Sequence, residues 1–263
     1  MVNDQFRANA NIMKNMMTTL GRVAVKFTPT RASNEHIIKE MASIGIKVEL
    51  YDKLDQIIKT YYVGGSTNDE LGTYMMMEGS DQPYVTHLPM LEGGLRWRFT
   101  PRAEQWRDKT IFRAKPEDIK SVSVNYPTRK GEAFTLTSTG KNQYDVAPGN
   151  ELLAQKNGNV NSNTVLSYLV GFESVIAEGF ENTNTAKDSI RQVEPFSILE
   201  IEKNSGEKKT VKFYPIDQEE EHPVTGERLP VHRYYADVNN EDLYLVQQRV
   251  VGKLFWGYQS FFQ

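Results

Sequence analysis

The chain has 263 residues, 39% of them hydrophobic and 25% charged, which suits one large or two small packed domains and excludes disordered, collagen-like and coiled-coil chains. Lys and Arg number 31 against 34 Asp and Glu, and a formal net charge of −3 offers no global attraction to nucleic acid or to an anionic membrane. The absence of Cys removes thiolate nucleophiles, disulfides and Cys-ligated zinc or iron–sulfur sites, and is compatible with an oxidising envelope and with the cytosol alike.

The first twenty residues include Asp4, Arg7 and Lys14 among several Asn, so they form neither the apolar core of a signal peptide nor a membrane span. Ile12, Met13, Met16, Met17 and Leu20 recur at three- and four-residue spacing and predict the buried stripe of an amphipathic helix ending at Gly21. Alternation over 22–27 predicts a strand, and 34–43 a short helix capped by Ser33 or Asn34, with Ile37, Ile38 and Met41 facing inward. Residues 46–50 and 57–63 read as a hairpin with one wet face, and 64–69 as a loop. A second strand pair covers 73–77 and 83–88 around a turn at 78–81, and a helical stretch is expected over 90–99.

In the second half, 120–126, 133–137 and 143–146 read as three short strands, followed by a helix over 161–172 with Val165, Leu166, Leu169 and Val170 on its apolar side. A strand at 174–177, a helix at 185–193 and a hairpin pairing Ile198, Leu199 and Ile201 with 211–214 come next. The strands at 73 and 84 then find counterparts at Arg233 and Tyr244, so that Tyr74 aligns with Tyr234 and Tyr84 with Tyr244 at a constant separation of 160 residues. The pair Tyr61 and Tyr62 aligns with Phe213 and Tyr214, the difference being taken up by a longer acidic loop at 217–230. The order predicts an α+β protein built as an internally duplicated unit of antiparallel hairpins packed with short helices, residues 1–114 forming the first repeat and 115–263 the second. Aromatic density at Phe255, Trp256, Tyr258, Phe261 and Phe262 predicts a docked terminal helix. By the repeat logic the first copy lacks its leading strands, so the natural chain is expected to run further upstream.

Several segments carry an outline of chemistry. Glu219, Glu220, Glu221, His222 and the later His232 offer carboxylates and imidazoles at no metal-binding spacing, so a solvated acidic loop accounts for them. Ser80, Asp81 and His87 include the residue types of a triad without a nucleophile elbow, and turn chemistry explains them more simply. Residues 64–67 lack the Lys and the following helix of a phosphate-cradling loop. No catalytic set, metal or cofactor is expected. The candidate partner surface is Arg96, Trp97, Arg98 and Arg102 with Trp106 and Arg107, because Arg and Trp are enriched at interaction hot spots, and Thr100 with Pro101 predicts a short helix over 102–108.

The runs IKVELYD at 46–52, KTYYVGG at 59–65, GTYMMMEGSD at 72–81, PYVTHLP at 83–89 and WRDKTIF at 106–112 resemble domain of unknown function family 4340, as found in envelope proteins of Bacteroidetes. The resemblance covers nearly the whole chain. It implies an exported protein on the periplasmic side of the cell envelope, tethered by an apolar N-terminal anchor that this sequence lacks, and an association with auxiliary proteins of gliding-type ABC transporters. It brings no catalytic residues. The function expected is a non-enzymatic module that binds an envelope or membrane protein partner, with no nucleic acid bound. The alternative is a periplasmic domain for a small-molecule or polymeric ligand.

Overall fold

The computed structural model describes residues 1–149, 159–216 and 230–262. The chain is α+β with antiparallel sheets, and it divides into two compact units, Met1–Asp108 and Lys109–Gln263. The strand at residues 110–112 pairs within the second unit, which places the division at Asp108.

In the first unit α1 (Ala10–Arg22) is capped by Asn9, whose side chain accepts the Asn11 and Ile12 amides. Then come β1 (Ala24–Phe27), α2 (Arg31–Ile44), β2 (Ile46–Tyr51), β3 (Ile57–Ser66), β4 (Thr73–Met77), β5 (Tyr84–His87) and the single turn α3 (Ala103–Trp106). The five strands lie in the order β1-β5-β4-β3-β2. Tyr61, Val63, Met75, Leu88, Leu95 and Phe99 form the core, with Met16, Leu20 and Val23 of the α1 segment packed against them.

The pleat places Gly64 on the opposite face, where α2 lies so close that a Cβ there would meet the Met41 side chain at 2.7 Å. That close approach explains why β3 continues through Gly64, Gly65 and Ser66 where a loop was expected. α2 begins at Arg31, ahead of the expected caps at Ser33 or Asn34. Ile38 is 38% exposed, so only Ile37 and Met41 of the expected stripe are buried. The helix expected over 90–99 is a single 3-10 turn at Arg96–Phe99, because Met90 and Gly93 take positive φ values of 66° and 98° that no helix accommodates.

The second unit contains β6 (Thr110–Phe112), β7 (Ile119–Asn125), β8 (Phe134–Gly140), β9 (Gln143–Pro148), α4 (Ser162–Val170), β10 (Val175–Ile176), β11 (Gly179–Phe180), α5 (Lys187–Gln192), β12 (Ser197–Lys203), β13 (Lys208–Ile216), β14 (Arg233–Val238), β15 (Asp242–Gln247) and α6 (Gln248–Val251). Eight strands form one sheet in the order β11-β15-β14-β13-β12-β7-β8-β9, and β6 pairs with β10. Tyr168 is fully buried at the centre of an aromatic cluster, its ring 5.7 Å from Phe134, 5.4 Å from Phe172 and Phe261, and 5.2 Å from Trp256. Tyr168 takes the place on α4 that the sequence reading gave to Val170, which is 50% exposed. The terminal aromatics dock through α6 and two 3-10 turns instead of one helix.

The registers correct the sequence alignment by one residue. Met75 pairs with Tyr84 and Ala236 with Tyr244, so matching Tyr84 to Tyr244 places Met75 on Ala236 and Tyr74 on Tyr235. The β4–β5 connection is one residue longer than the β14–β15 connection. Tyr234 therefore faces the core while Tyr74, alternating with the core residue Met75, faces away from it. The next rung places Val63 on Phe213, two residues along from the expected Tyr61.

Candidate functional site

The six residues of the Arg and Trp segment separate into different environments. Arg96 is spent on structure: its Nη1 donates to the carbonyls of Val63 at 2.9 Å and Gly64 at 3.0 Å, and its Nη2 to that of Ile44. One guanidinium thus ties the end of α2 to the glycine stretch of β3. Arg107 is 8% exposed, with its guanidinium 3.7 Å from the centre of the Phe6 ring. Trp106 is half-buried; its Nε1 donates to the Thr100 carbonyl at 2.8 Å, and its own carbonyl accepts the Asn9 amide at 2.8 Å.

Trp97 and Arg102 are exposed. Trp97 leaves 67% of its surface open, and the Arg98 guanidinium lies 4.4 Å over its ring. Arg98 also donates to Thr19 Oγ1 at 3.4 Å, while its buried Nε has no hydrogen-bond partner. The helix expected from Pro101 is the single turn α3, which starts at Ala103 with Arg102 in the cap position and the Arg102 amide on Thr100 Oγ1.

These residues edge a broad, shallow groove of about 930 Å³, lined among others by Asp69, Glu70, Glu92, Arg96, Trp97 and Arg102. The Thr67 hydroxyl and the Leu71 amide donate to Asp69 and hold its carboxyl below the usual carboxylate range. The groove thus carries both signs of charge around one open indole.

The other candidates are dispersed. Ser80 Oγ donates to the Gln82 carbonyl at 3.0 Å as a turn bond, and His87 lies at the far end of β5 from that turn. The loop at 219–222 lies outside the described residues; His232 is exposed, and its carbonyl accepts the Gln248 amide. Among the described residues no three His, Asp or Glu side chains gather where they could hold a metal ion, and no helix is long and apolar enough to cross a membrane.

A second concavity was missed in the sequence. It is an apolar cavity of about 410 Å³ on the core face of the first sheet, lined by Leu20, Val25, Leu50, Met75, Met77 and Tyr84 among others, with Lys59 and Tyr61 supplying polar groups. Tyr61 is 6% exposed, its hydroxyl has no hydrogen-bond partner, and burial pushes its pKa up to about 12. The signal was the alternation of Lys59, Tyr61 and Val63, which sets a lysine on the core face of a strand.

Residues 3–195 match the family model described as Domain of unknown function (DUF4340). The chain belongs to this family. The match takes in the first unit of the DUF4340 chain from Asn3 onward and the second unit as far as α5. No curated protein and no solved structure matches the DUF4340 chain.

Proposed function

We propose that this DUF4340 chain is a non-catalytic interaction module of the cell envelope, an α+β unit used twice, with its partner surface centred on Trp97. The family resemblance supports the periplasmic, membrane-tethered setting and an accessory role beside a transport complex. The observation that carries the reading is the 67% exposure of Trp97 beside a groove of mixed charge. A large indole left in water and stiffened by a stacked guanidinium is the kind of residue that contributes most when a partner desolvates it. Of the six sequence candidates, Trp97, Arg98 and Arg102 remain in the proposed surface, while Arg96, Trp106 and Arg107 hold the segment in place.

The test places a photo-crosslinking amino acid at position 97 of the protein in its native membrane. A partner surface gives one defined protein adduct, and Arg102→Glu abolishes it without lowering the melting temperature, because an exposed substitution changes stability by under about 0.5 kcal/mol. A crosslinking pattern that Arg102→Glu leaves unchanged, or an adduct only to lipid, overturns the reading.

A further inference from the structure

The groove at Trp97 does not end at its acidic wall. Leu71 and Glu92 also line a second, smaller concavity of about 340 Å³, whose other walls are Lys26, His87, Met90 and Leu91. This second concavity lies against β1 and β5, at the edge of the sheet opposite β2. Leu71, Met90 and Leu91 are all exposed along it.

Met90 is the residue that the fold does not account for. The Leu91 amide donates to the Leu88 carbonyl at 3.1 Å, closing a tight turn over Pro89 and Met90. Pro89 suits the first central position of such a turn, and the second, at a φ of 66°, calls for Gly or Asn. A Met there carries the strain of a left-handed backbone, and its side chain is fully exposed, so no burial offsets that strain. The frame beneath is firm. Leu88 and Leu95, at the two ends of the loop, are buried, and the Leu95 amide donates to Thr73 Oγ1 at 2.6 Å. The loop therefore holds an unbranched apolar side chain out in water at a fixed place.

We propose that the Met90–Leu91 turn is the second half of the partner surface centred on Trp97, and that it receives a protein segment in which apolar side chains stand beside a Lys or Arg. This extends the reading of Trp97 as a partner surface, on which it rests, to the chemistry of the partner. Met90, Leu91 and Leu71 seat the apolar groups, the flexible Met side chain adapting to their shape. The polar side follows from which groups are already used. Lys26 Nζ donates to the Leu71 carbonyl at 3.2 Å and Arg96 to three carbonyls, whereas the Glu70 and Glu92 carboxylates have no hydrogen-bond or ion-pair partner among the described residues. Unused carboxylate acceptors beside apolar groups are complementary to a cationic donor, and charge-assisted bonds of that kind are among the stronger ones. The same carboxylates oppose insertion of the tip into an anionic lipid surface, which favours a protein over a membrane.

A photo-crosslinking amino acid is placed at position 90 of the full chain in its native membrane, in parallel with the one at position 97. The expected result is that both positions capture the same protein, and that the segment crosslinked from position 90 has apolar residues next to a Lys or Arg. With the crosslinker at 97, Glu70→Gln combined with Glu92→Gln should lower the yield several-fold. Met90→Gly should do the same while leaving the melting temperature unchanged, because the positive φ suits Gly and no packing is lost. A protein adduct from 97 with none from 90, or a yield that Met90→Gly leaves unchanged, overturns this proposal and leaves the Trp97 reading standing. A lower melting temperature for Met90→Gly overturns it too, by showing that the side chain serves the fold. So does an adduct from 90 to lipid, to a second copy or to another part of the same chain. A captured segment without a basic residue, or a yield indifferent to the two Glu replacements, has the same consequence. If neither position captures a protein, the reading of Trp97 fails and this proposal falls with it.

Discussion

The Arg191 guanidinium donates to Asp237 Oδ1 at 2.7 Å, and the Asp237 side chain is completely buried. Asp237 lies on the face of β14 opposite the core residue Ala236, so this pair anchors α5 to the back of the second sheet. Removing one member of such a pair strands a charge away from water, whereas replacing both with apolar groups removes the penalty together with the bond. Arg191→Met should therefore cost about 3 kcal/mol, and adding Asp237→Leu should recover most of that loss. Urea denaturation of the two variants checks this; a single variant as stable as the parent would show that the pair does not anchor α5.

Arg96 and Arg102 are six residues apart and should respond oppositely. Arg96 makes charge-assisted bonds to three carbonyls that no other side chain satisfies in the same way, and each such bond contributes about 1.5–3 kcal/mol at most. Arg96→Met should lower the stability of the first unit by about 2–3 kcal/mol, while Arg102→Met should change it by under about 0.5 kcal/mol. Calorimetric melting of the two variants separates the structural from the exposed arginine. Equal melting temperatures would remove Arg96 from the frame of the site.

What the sequence allowed to be read, and what it hid, divides along physical lines. Period-two alternation is local, so the hairpins 46–50 with 57–63 and 73–77 with 83–88 were placed to within a residue of their strands except at the end of β3, which runs three residues further. Register is set by the turn, and one extra residue in the β4–β5 connection was enough to move Tyr74 off Tyr234. The helix expected over 90–99 failed because Gly93 and Met90 turn the backbone in a way that apolar spacing does not reveal. Arg and Trp enrichment located the right segment, yet composition carries no direction: Arg96 turned inward to carbonyls while Trp97 turned out to water. The cavity beside Tyr61 was invisible because residues from the α1 segment and from all five strands line it, and these meet only once the sheet is assembled.

Glu178 accepts from Gln247 Nε2 and, at 2.9 Å, from Arg233 Nε, and these two bonds hold its carboxyl below the usual value of 4.5. A carboxyl lowered in the folded state adds stability that is present above its unfolded pKa and is lost as the pH falls through the folded one. Glu178 is partly exposed and its partner Arg233 is exposed, so solvent screening keeps the contribution small. The melting temperature of the parent should fall more steeply below about pH 4.5 than that of Glu178→Gln. Parallel curves would mean that Arg233 and Gln247 gain nothing from the charge.

Three buried tyrosines give the protein an alkaline limit, and one of them differs from the others. Tyr126 donates to the Trp256 carbonyl at 2.8 Å and Tyr168 to that of Leu254 at 3.3 Å, whereas the Tyr61 hydroxyl donates to nothing. A donor left unpaired in an apolar setting costs about 1–3 kcal/mol, so Tyr61→Phe should stabilise the first unit by about 1 kcal/mol, while Tyr126→Phe should destabilise the second by a similar amount. The pH dependence follows from burial, which raises the Tyr61 pKa from 10.0 to about 12 and moves Tyr126 and Tyr168 in the same direction. Between the unfolded and folded values the unfolded chain has released a proton that the folded one retains, so stability is intact below about pH 10 and declines as the pH rises beyond it. Tyr61→Phe should remove the first unit's share of that decline, giving it a flatter alkaline melting profile than the parent. Thermal melts across this range, read together with tyrosinate absorbance, test the point: a variant that loses stability as steeply as the parent would mean that Tyr61 ionises without leaving the fold, and that its hydroxyl already reaches water through the cavity it lines.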